Sequence, residues 1–193
     1  MSGSGFLRTE SAIAMIGLTP GTKLWLDRFV TPLPDGGTVL DLGCGAGEPV
    51  ARYLVGRGFS VVGVDYDRHA VDLARTRFPR QRWLHGDMRD IVLDETFDGV
   101  LAWNCLSVMG RIDQGRMARR AALWLKPGGR LLFNVATDKD NDIADYRNGT
   151  LYRDELGPTD YGTALAAQGL ITVAHVEKDP ACGGAGVWFA RKN

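Results

Sequence analysis

The sequence predicts an α/β protein of three layers, in which helices cover both faces of a seven-stranded, mostly parallel sheet. Short β-branched runs alternate with helical segments along most of the 193 residues. This alternation is typical of parallel strands joined by crossover helices. The last two runs are joined by a loop too short for a crossover helix, so the final strand should be antiparallel. A chain of this length supplies one ordinary domain with a sizeable core.

The individual elements follow from the spacing of apolar residues. Strands are predicted at 38–42, 60–65, 82–85, 97–103, 129–136, 170–178 and 186–192. Helices are predicted at 48–57, 68–77, 113–125 and 159–168, preceded by an amphipathic stretch from Ser11 to Gly17 and a helix from Thr22 to Val30. We therefore divide the chain into residues 1–34, a flexible tail with helices that could form a lid, and residues 35–193, the ligand-binding domain.

Charge and cysteine content narrow the range of functions. Lys plus Arg and Asp plus Glu both number 23, and this neutral balance disfavours general nucleic-acid binding. Three widely spaced cysteines form neither a disulfide framework nor a metal site, so no metal is expected. No signal peptide, membrane-spanning stretch or lipidation motif is recognised. We expect a cytoplasmic protein, a monomer or homodimer, that acts away from membranes.

The run from Val39 to Pro49 is the most informative segment. It is predicted to be a buried strand that breaks into a loop with three glycines and then enters a helix. Glycines allow a tight bend and the close approach of a ligand. Asp41 lies two residues before the first of them, and burying a carboxylate is costly unless a cation or a hydrogen-bond donor meets it. The loop therefore suits a cationic ligand better than a phosphate.

Further candidate ligand-binding residues follow the next three strands. They are Asp65 and Tyr66 after the second strand, Asp87 and Met88 after the third, and Trp103 and Asn104 after the fourth. Ligands of open parallel sheets bind at these carboxyl ends. Asp65 could accept both hydroxyls of a ribose, Asp87 could accept from the amine of an adenine, and the Met88 N–H could donate to a ring nitrogen. An ordinary turn aspartate explains Asp87 equally well, and we expect Asp67 to cap the helix at 68–77.

From about residue 38 onwards, the chain resembles the class I S-adenosylmethionine-dependent methyltransferases. The resemblance rests on the glycine loop with Asp41, the acidic end of the second strand, the Gly-Asp-Met turn at 86–88, the Leu-Lys-Pro-Gly-Gly-Arg segment at 125–130, and the antiparallel last strand. It implies a Rossmann-like fold, S-adenosylmethionine as the cofactor, and Gly43 and Gly45 as the residues that hold its methionine part. The full predicted cofactor set is Asp41, Gly43, Cys44, Gly45, Asp65, Tyr66, Asp87, Met88 and Trp103, with Cys44 as a small filler residue rather than a nucleophile.

The methyl acceptor is less clearly marked. Val108 stands where similar small-molecule methyltransferases often carry a histidine, so the sequence identifies no general base. The catalytic candidates are Asn104, His85 and Tyr152, and the substrate-binding candidates are Trp25, Asn104, Tyr146, Tyr152 and Arg153. Packing explains Trp25 and His85 as well, and the residues of the 137–158 segment could simply anchor it. Seven acidic residues between 138 and 160 disfavour a polyanionic acceptor.

These observations favour a methyltransferase that acts on an oxygen or nitrogen of a small molecule, mainly by positioning the reactants. A second hypothesis is a regulatory protein that binds the cofactor without catalysis. A third is an NAD(P)-dependent oxidoreductase, which the position of Asp41 and the lack of a Tyr-x-x-x-Lys pair disfavour.

Overall fold

The computed structural model describes residues 17–135 and 156–193 in full. It also describes the backbone of two short strands, Ile143–Ala144 and Leu151–Tyr152. The predicted amphipathic stretch before Gly17, the residues Tyr146 and Arg153, and the side chain of Tyr152 lie outside the described residues.

The chain folds into five helices and nine strands within the described residues. The helices are α1 (Pro20–Val30), α2 (Val50–Gly56), α3 (Arg68–Arg77), α4 (Arg111–Trp124) and α5 (Pro158–Ala166). The strands are β1 (Thr38–Leu42), β2 (Ser60–Asp65), β3 (Arg82–His85), β4 (Phe97–Ala102), β5 (Leu125–Val135), β6 (Ile143–Ala144), β7 (Leu151–Tyr152), β8 (Leu170–Asp179) and β9 (Ala185–Lys192). Two short 3₁₀-helices lie at Leu106–Val108 and Pro180–Cys182.

Seven of the strands form one sheet in the order β3-β2-β1-β4-β5-β9-β8, and β6 and β7 form a separate two-stranded sheet. The first five strands are parallel, and β9 runs antiparallel to both β5 and β8. The predicted sheet and its antiparallel last strand are confirmed. The strand order reverses between β1 and β4, which is where open α/β sheets bind ligands.

Two apolar cores lie on opposite faces of this sheet. Helices α1, α2 and α3 cover one face through side chains such as Trp25, Phe29 and Leu54. Helices α4 and α5 cover the other through side chains such as Met117 and Tyr161. Because the central strands are buried on both faces, they are nearly continuous apolar runs. The buried carboxylate in β1 is therefore an exception.

Some element boundaries differ from the prediction. Strand β4 ends at Ala102, before Trp103, because the backbone turns to a positive φ of 56° at Asn104. Strand β5 starts at Leu125 rather than 129, since Leu125 already pairs with Phe97 across an irregularity in the ladder. Among the described residues, no helix is both long enough and apolar enough to cross a membrane.

Candidate functional site

The glycine loop lies over the carboxyl ends of β1 and β2, and β2 already accepts its first N–H groups. The amides of Gly43 and Cys44 donate to the carbonyl of Val64, at 2.8 and 3.1 Å. The amide of Gly45 donates to Oδ2 of Asp65 at 2.7 Å. A phosphate cradle needs several unpaired backbone N–H groups that point at the ligand. Three successive amides of this loop are committed to protein acceptors, so the loop is not built as an anion cradle.

Beneath the loop lies Asp41, a buried acidic side chain with an unsatisfied oxygen atom. Its side chain is 2% exposed, and Oδ2 has no hydrogen-bond partner among the described residues. Burial raises the pKa of Asp41 to about 8, and the negative charge of Asp65 adds to the shift. A carboxylate in this condition is costly unless a cationic donor meets it. The site therefore fits a ligand with positive charge, as S-adenosylmethionine has at its ammonium and sulfonium groups.

The two central glycines of the loop differ in what surrounds them. A Cβ on Gly43 would lie 2.4 Å from Cβ of Cys105, so no larger residue fits there. An ideal Cβ on Gly45 would meet no described atom within 4 Å. Both have positive φ, 68° and 52°, which favours glycine. Gly43 thus packs against the protein, whereas Gly45 borders open space that a ligand could fill.

Asp65 holds the glycine loop in place, and its carboxylate can still accept hydrogen bonds from a ligand. Besides the amide of Gly45, its carboxylate accepts the amide of Asp67 on Oδ1 at 2.8 Å. Each carboxylate oxygen has a second lone pair, so acceptance from ribose hydroxyls remains possible. The expected helix cap is Asp67, whose Oδ1 accepts from the amides of His69 and Ala70 at 2.8 and 3.3 Å. Tyr66, between the two aspartates, is 51% exposed.

At the adenine end of the predicted site, Asp87 is held by an arginine that the sequence reasoning missed. The guanidinium of Arg89 contacts both of its carboxylate oxygens, at 3.0 to 3.2 Å. The amide of Arg89 also donates to Oδ1 of Asp87 at 2.8 Å. Both side chains are nearly buried, at 6% and 9% exposure. These contacts favour the turn-aspartate interpretation, and adenine recognition by Asp87 and by the neighbouring Met88 stays a prediction.

The remaining cofactor candidates are buried. Cys44 is 6% exposed, and burial raises the pKa of its thiol, so it does not behave as a nucleophile. Trp103 is 9% exposed and belongs to the core on the α1–α3 face. Met88 is 6% exposed, with its Cε 3.5 Å from the position of a Cβ on Gly43. All three are packed in the interior, with Cys44 in the loop and Met88 next to it.

Asn104, a predicted contact of the methyl acceptor, forms a hydrogen-bonded pair with Asn134. Asn104, directly after β4, is exposed and is the one non-glycine residue with a positive φ in the described chain. Its amide donates to Oδ1 of Asn134 at 2.6 Å, and Nδ2 of Asn134 donates back to Oδ1 of Asn104 at 2.5 Å. The sequence reasoning missed Asn134. The feature that could have identified it is its position as the single polar residue in the apolar run from Leu131 to Val135.

Two other candidates lie in places that favour packing or surface roles. Trp25 is 1% exposed, and its Nε1 donates to Oδ2 of Asp179 at 2.7 Å, so it is not presented to a substrate. His85 is exposed at the end of the edge strand β3, where its Nδ1 lies 3.2 Å from the guanidinium of Arg68. In the ranges 17–135 and 156–193, no cluster of three or more metal-ligating side chains occurs.

Comparison with known proteins gives concordant matches. Residues 39–129 match a family model described as a methyltransferase domain. The chain is 40% identical over 119 residues to a cypemycin N-terminal methyltransferase from a Streptomyces species, a match that covers 58% of this chain and 47% of that protein. It is 34% identical over 136 residues to a 27-O-demethylrifamycin SV methyltransferase from Amycolatopsis mediterranei, covering 66% and 48% of the two. The chain thus spans about half the length of these relatives.

The fold matches that of solved methyltransferases along its whole length. One is an amino pentose methyltransferase from Micromonospora echinaspora, involved in calicheamicin biosynthesis and solved with S-adenosylmethionine bound. The TM-score is 0.72 at 22% sequence identity, and the match covers 100% of both chains.

Proposed function

We propose that this chain contains a class I S-adenosylmethionine-dependent methyltransferase domain, and that the protein transfers a methyl group from this cofactor to an oxygen or nitrogen of a small molecule. The relatives named above support a small-molecule acceptor. They include a methyltransferase named for a rifamycin and one involved in calicheamicin biosynthesis.

One observation carries the cofactor assignment: the group left without a partner under the glycine loop is a carboxylate, not an amide. Asp41 is buried and unsatisfied, while the amides of Gly43, Cys44 and Gly45 are already paired. A dinucleotide brings a pyrophosphate to such a loop, and that anion supplies no positive charge that would stabilise the ionised form of Asp41. S-adenosylmethionine supplies an electrophilic methyl group on a cationic sulfur. In this assignment, Asp41 faces the cationic end and Asp65 accepts from the ribose.

The chain's own contribution is alignment and exclusion of water rather than proton transfer. Asn104, next to the loop, carries no titratable group, and Val108 stands half-buried in the 3₁₀-helix against the core. A displacement at carbon needs the nucleophile in line with the leaving sulfur, and holding two reactants in that geometry accelerates the reaction without a base. An acceptor that is ionised in solution needs no deprotonation.

Calorimetric titration and a turnover screen test the proposal together. We expect S-adenosylmethionine and S-adenosylhomocysteine to bind and NAD not to bind. A screen of phenols, amines, carboxylic acids and thiols with isotope-labelled S-adenosylmethionine is expected to yield labelled product. Asp41→Asn should weaken cofactor binding, whereas Asp94→Asn, a matched change at an exposed carboxylate, should leave it unchanged.

Three results would contradict parts of this proposal. Binding of NAD in place of both sulfur cofactors would support the oxidoreductase hypothesis. Tight cofactor binding with silence across the acceptor screen would support a regulatory protein without catalysis. Equal cofactor affinity of the Asp41→Asn variant and the wild type would remove Asp41 from the site.

A further inference from the structure

We propose that the methyl acceptor atom is an oxygen, selected by an asparagine pair that leaves both Nδ2 protons of Asn104 available to donate to it. The pair is Asn104, after β4, and Asn134, near the end of β5. This inference rests on the proposed methyl transfer. It narrows the acceptor class from oxygen or nitrogen to oxygen.

The position of Asn104 is fixed beside the cofactor loop by the residue that follows it. The thiol of Cys105 donates to the carbonyl of Leu42 at 3.2 Å, and its Cβ fills the space next to Gly43. Asn104 itself is exposed and has a φ of 56°. Such strained backbone conformations persist where the surrounding contacts determine them. Asn104 therefore stands at the rim of the site, over the carboxyl ends of β4 and β5.

The orientation of both side-chain amides follows from one backbone group. The main-chain N–H of Asn104 can only donate, so the side-chain atom of Asn134 at 2.6 Å must be its oxygen. The other terminal atom of Asn134 is then Nδ2, a donor, which lies 2.5 Å from the side chain of Asn104. That contact requires an oxygen on Asn104. Neither amide can be turned around without placing two donors or two acceptors face to face.

The consequence is that Oδ1 of Asn104 is already bonded to Asn134, whereas both protons of its Nδ2 remain to be donated. Within residues 17–135 and 156–193, nothing accepts a hydrogen bond from Nδ2 of Asn104. Asn134 is 4% exposed, so no water replaces the bonds that hold it. Two N–H donors therefore point outward from a fixed amide.

This arrangement discriminates between nucleophiles by their number of lone pairs. An oxygen acceptor uses one lone pair to accept from Nδ2 of Asn104 and another to attack the methyl carbon. The new O–C bond forms as the methyl–sulfur bond breaks, and sulfur keeps that electron pair. An ionised phenol or carboxylate has no proton to lose, and a hydroxyl releases its proton to water. A neutral amine has one lone pair, which the attack consumes, so the amine cannot also accept a hydrogen bond from Nδ2 of Asn104.

Matched pairs of acceptors with labelled S-adenosylmethionine test this selection. The probes are an acidic phenol against the corresponding aniline, and benzoate against benzylamine. We expect the wild type to methylate the oxygen member with the higher kcat/KM. We also expect that member to bind more tightly to the complex with S-adenosylhomocysteine, measured by calorimetry. Asn104→Asp replaces Nδ2 by a carboxylate oxygen and keeps the bond from Asn134, so the oxygen-over-nitrogen ratio should fall by about tenfold or more.

A second variant tests whether Asn134 positions Asn104. In Asn134→Asp, the ionised side chain still accepts the amide of Asn104 but donates nothing, so the side chain of Asn104 should turn and expose its oxygen. The oxygen-over-nitrogen ratio should fall at high pH and recover where the new carboxyl is protonated. Gln114→Glu is the control, because Gln114 is an equally buried amide that bonds instead to Met109 and Tyr161. It should lower stability without moving the ratio.

Hydrogen exchange of the side-chain amides gives a readout that needs no acceptor. In the wild type, the Nδ2 protons of Asn104 should exchange rapidly and those of Asn134 slowly. In Asn134→Asp, the Asn104 protons should become protected. Protected Asn104 protons in the wild type would overturn the orientation, and an unchanged ratio in Asn104→Asp or preferred methylation of the amines would overturn the selection. Failure to methylate any probe would instead contradict the proposed function, with exchange still deciding the orientation.

Discussion

Asp41 combines a proposed role in cofactor binding with a cost to the folded state. Its pKa is about 8 in the folded protein, chiefly because of burial, against an ordinary value of 3.8. Between these two values, the folded chain holds a proton that the unfolded chain has released. The free energy of unfolding must therefore fall as pH rises through this window. Bringing a cationic ligand to the carboxylate would reverse that penalty.

Replacing Asp41 by asparagine should flatten this pH dependence. From about pH 5 to about pH 8, we expect the free wild type to lose up to a few kcal/mol of unfolding free energy through this group, and Asp41→Asn to lose less. Urea unfolding at the two pH values measures the difference. Asp94→Asn is the control and should keep the wild-type slope. Parallel slopes in all three proteins would show that Asp41 is ionised in the fold.

Substitutions of Asp65 and Asp67 should distinguish cofactor binding from the stability of helix α3. Asp65→Ala removes a charged acceptor and the anchor of the Gly45 amide, so cofactor affinity should fall by about 1–3 kcal/mol. Asp67→Ala removes the cap of α3 and should lower stability by about 0.5–2 kcal/mol, with binding retained. Calorimetry and thermal unfolding measure the two effects. Unchanged affinity in Asp65→Ala would refute the ribose assignment.

The sequence alone predicts the candidate cofactor site through residues that lie close together in the chain. Asp41, Gly43 and Gly45 stand within five residues, and the strand pattern shows that they share one sheet edge. Asn134 was missed because its partner Asn104 is 30 residues away, and only the pairing of β4 with β5 brings them together. Arg89 was missed for a weaker reason. It follows Asp87 by two residues, so their ion pair was within reach of sequence inspection.

The strands were predictable because burial on both faces leaves a plain apolar signature. Strands β1, β2 and β3 match the predicted bounds 38–42, 60–65 and 82–85. The start of β5 was missed, since Lys126, Pro127 and two glycines look like a turn. Leu125 joins the sheet only through its neighbour Phe97. Boundaries set by a partner strand are not encoded in the segment itself.

The loop between β1 and α2 should respond differently to a methyl group at its two central glycines. Gly43→Ala meets both a positive φ and a contact of 2.4 Å with Cys105, so it should be strongly destabilising. Gly45→Ala meets a positive φ of 52° but open space, so it should cost about 1 kcal/mol of stability. Its methyl group projects into the space proposed for the cofactor.

Stability and cofactor affinity should therefore separate in these two variants. Denaturant unfolding should rank Gly43→Ala below Gly45→Ala in stability, and calorimetry should show that the folded Gly45→Ala variant binds S-adenosylhomocysteine more weakly than wild type. Gly58→Ala, another positive-φ glycine with open space, lies before β2 at the opposite end of the sheet from the glycine loop, so it is the control and should bind normally. Normal affinity of Gly45→Ala would place the cofactor elsewhere.

Contacts distant in sequence join the two ends of the described chain. The indole of Trp25 in α1 donates to Asp179, which ends β8. Gly21 packs so closely that a Cβ would lie 2.2 Å from the carbonyl of Ala181. The helix expected to act as a lid is thus anchored to the far edge of the sheet. The domain should consequently unfold as one unit, and ligand binding at the β1–β4 switch point should stabilise all of it.

Thermal unfolding with added cofactor measures that coupling. A ligand that binds only the folded state at one hundred times its Kd adds about 2.7 kcal/mol to the free energy of unfolding. For a domain of this size, each kcal/mol raises Tm by about 2–4 °C. We therefore expect S-adenosylhomocysteine to raise Tm by about 5–10 °C in a single transition, and NAD at the same concentration to leave it unchanged. Asp65→Ala should need more ligand for the same shift, because its Kd is higher. Two separate transitions, with only one moved by the ligand, would show that α1 and the sheet do not unfold together.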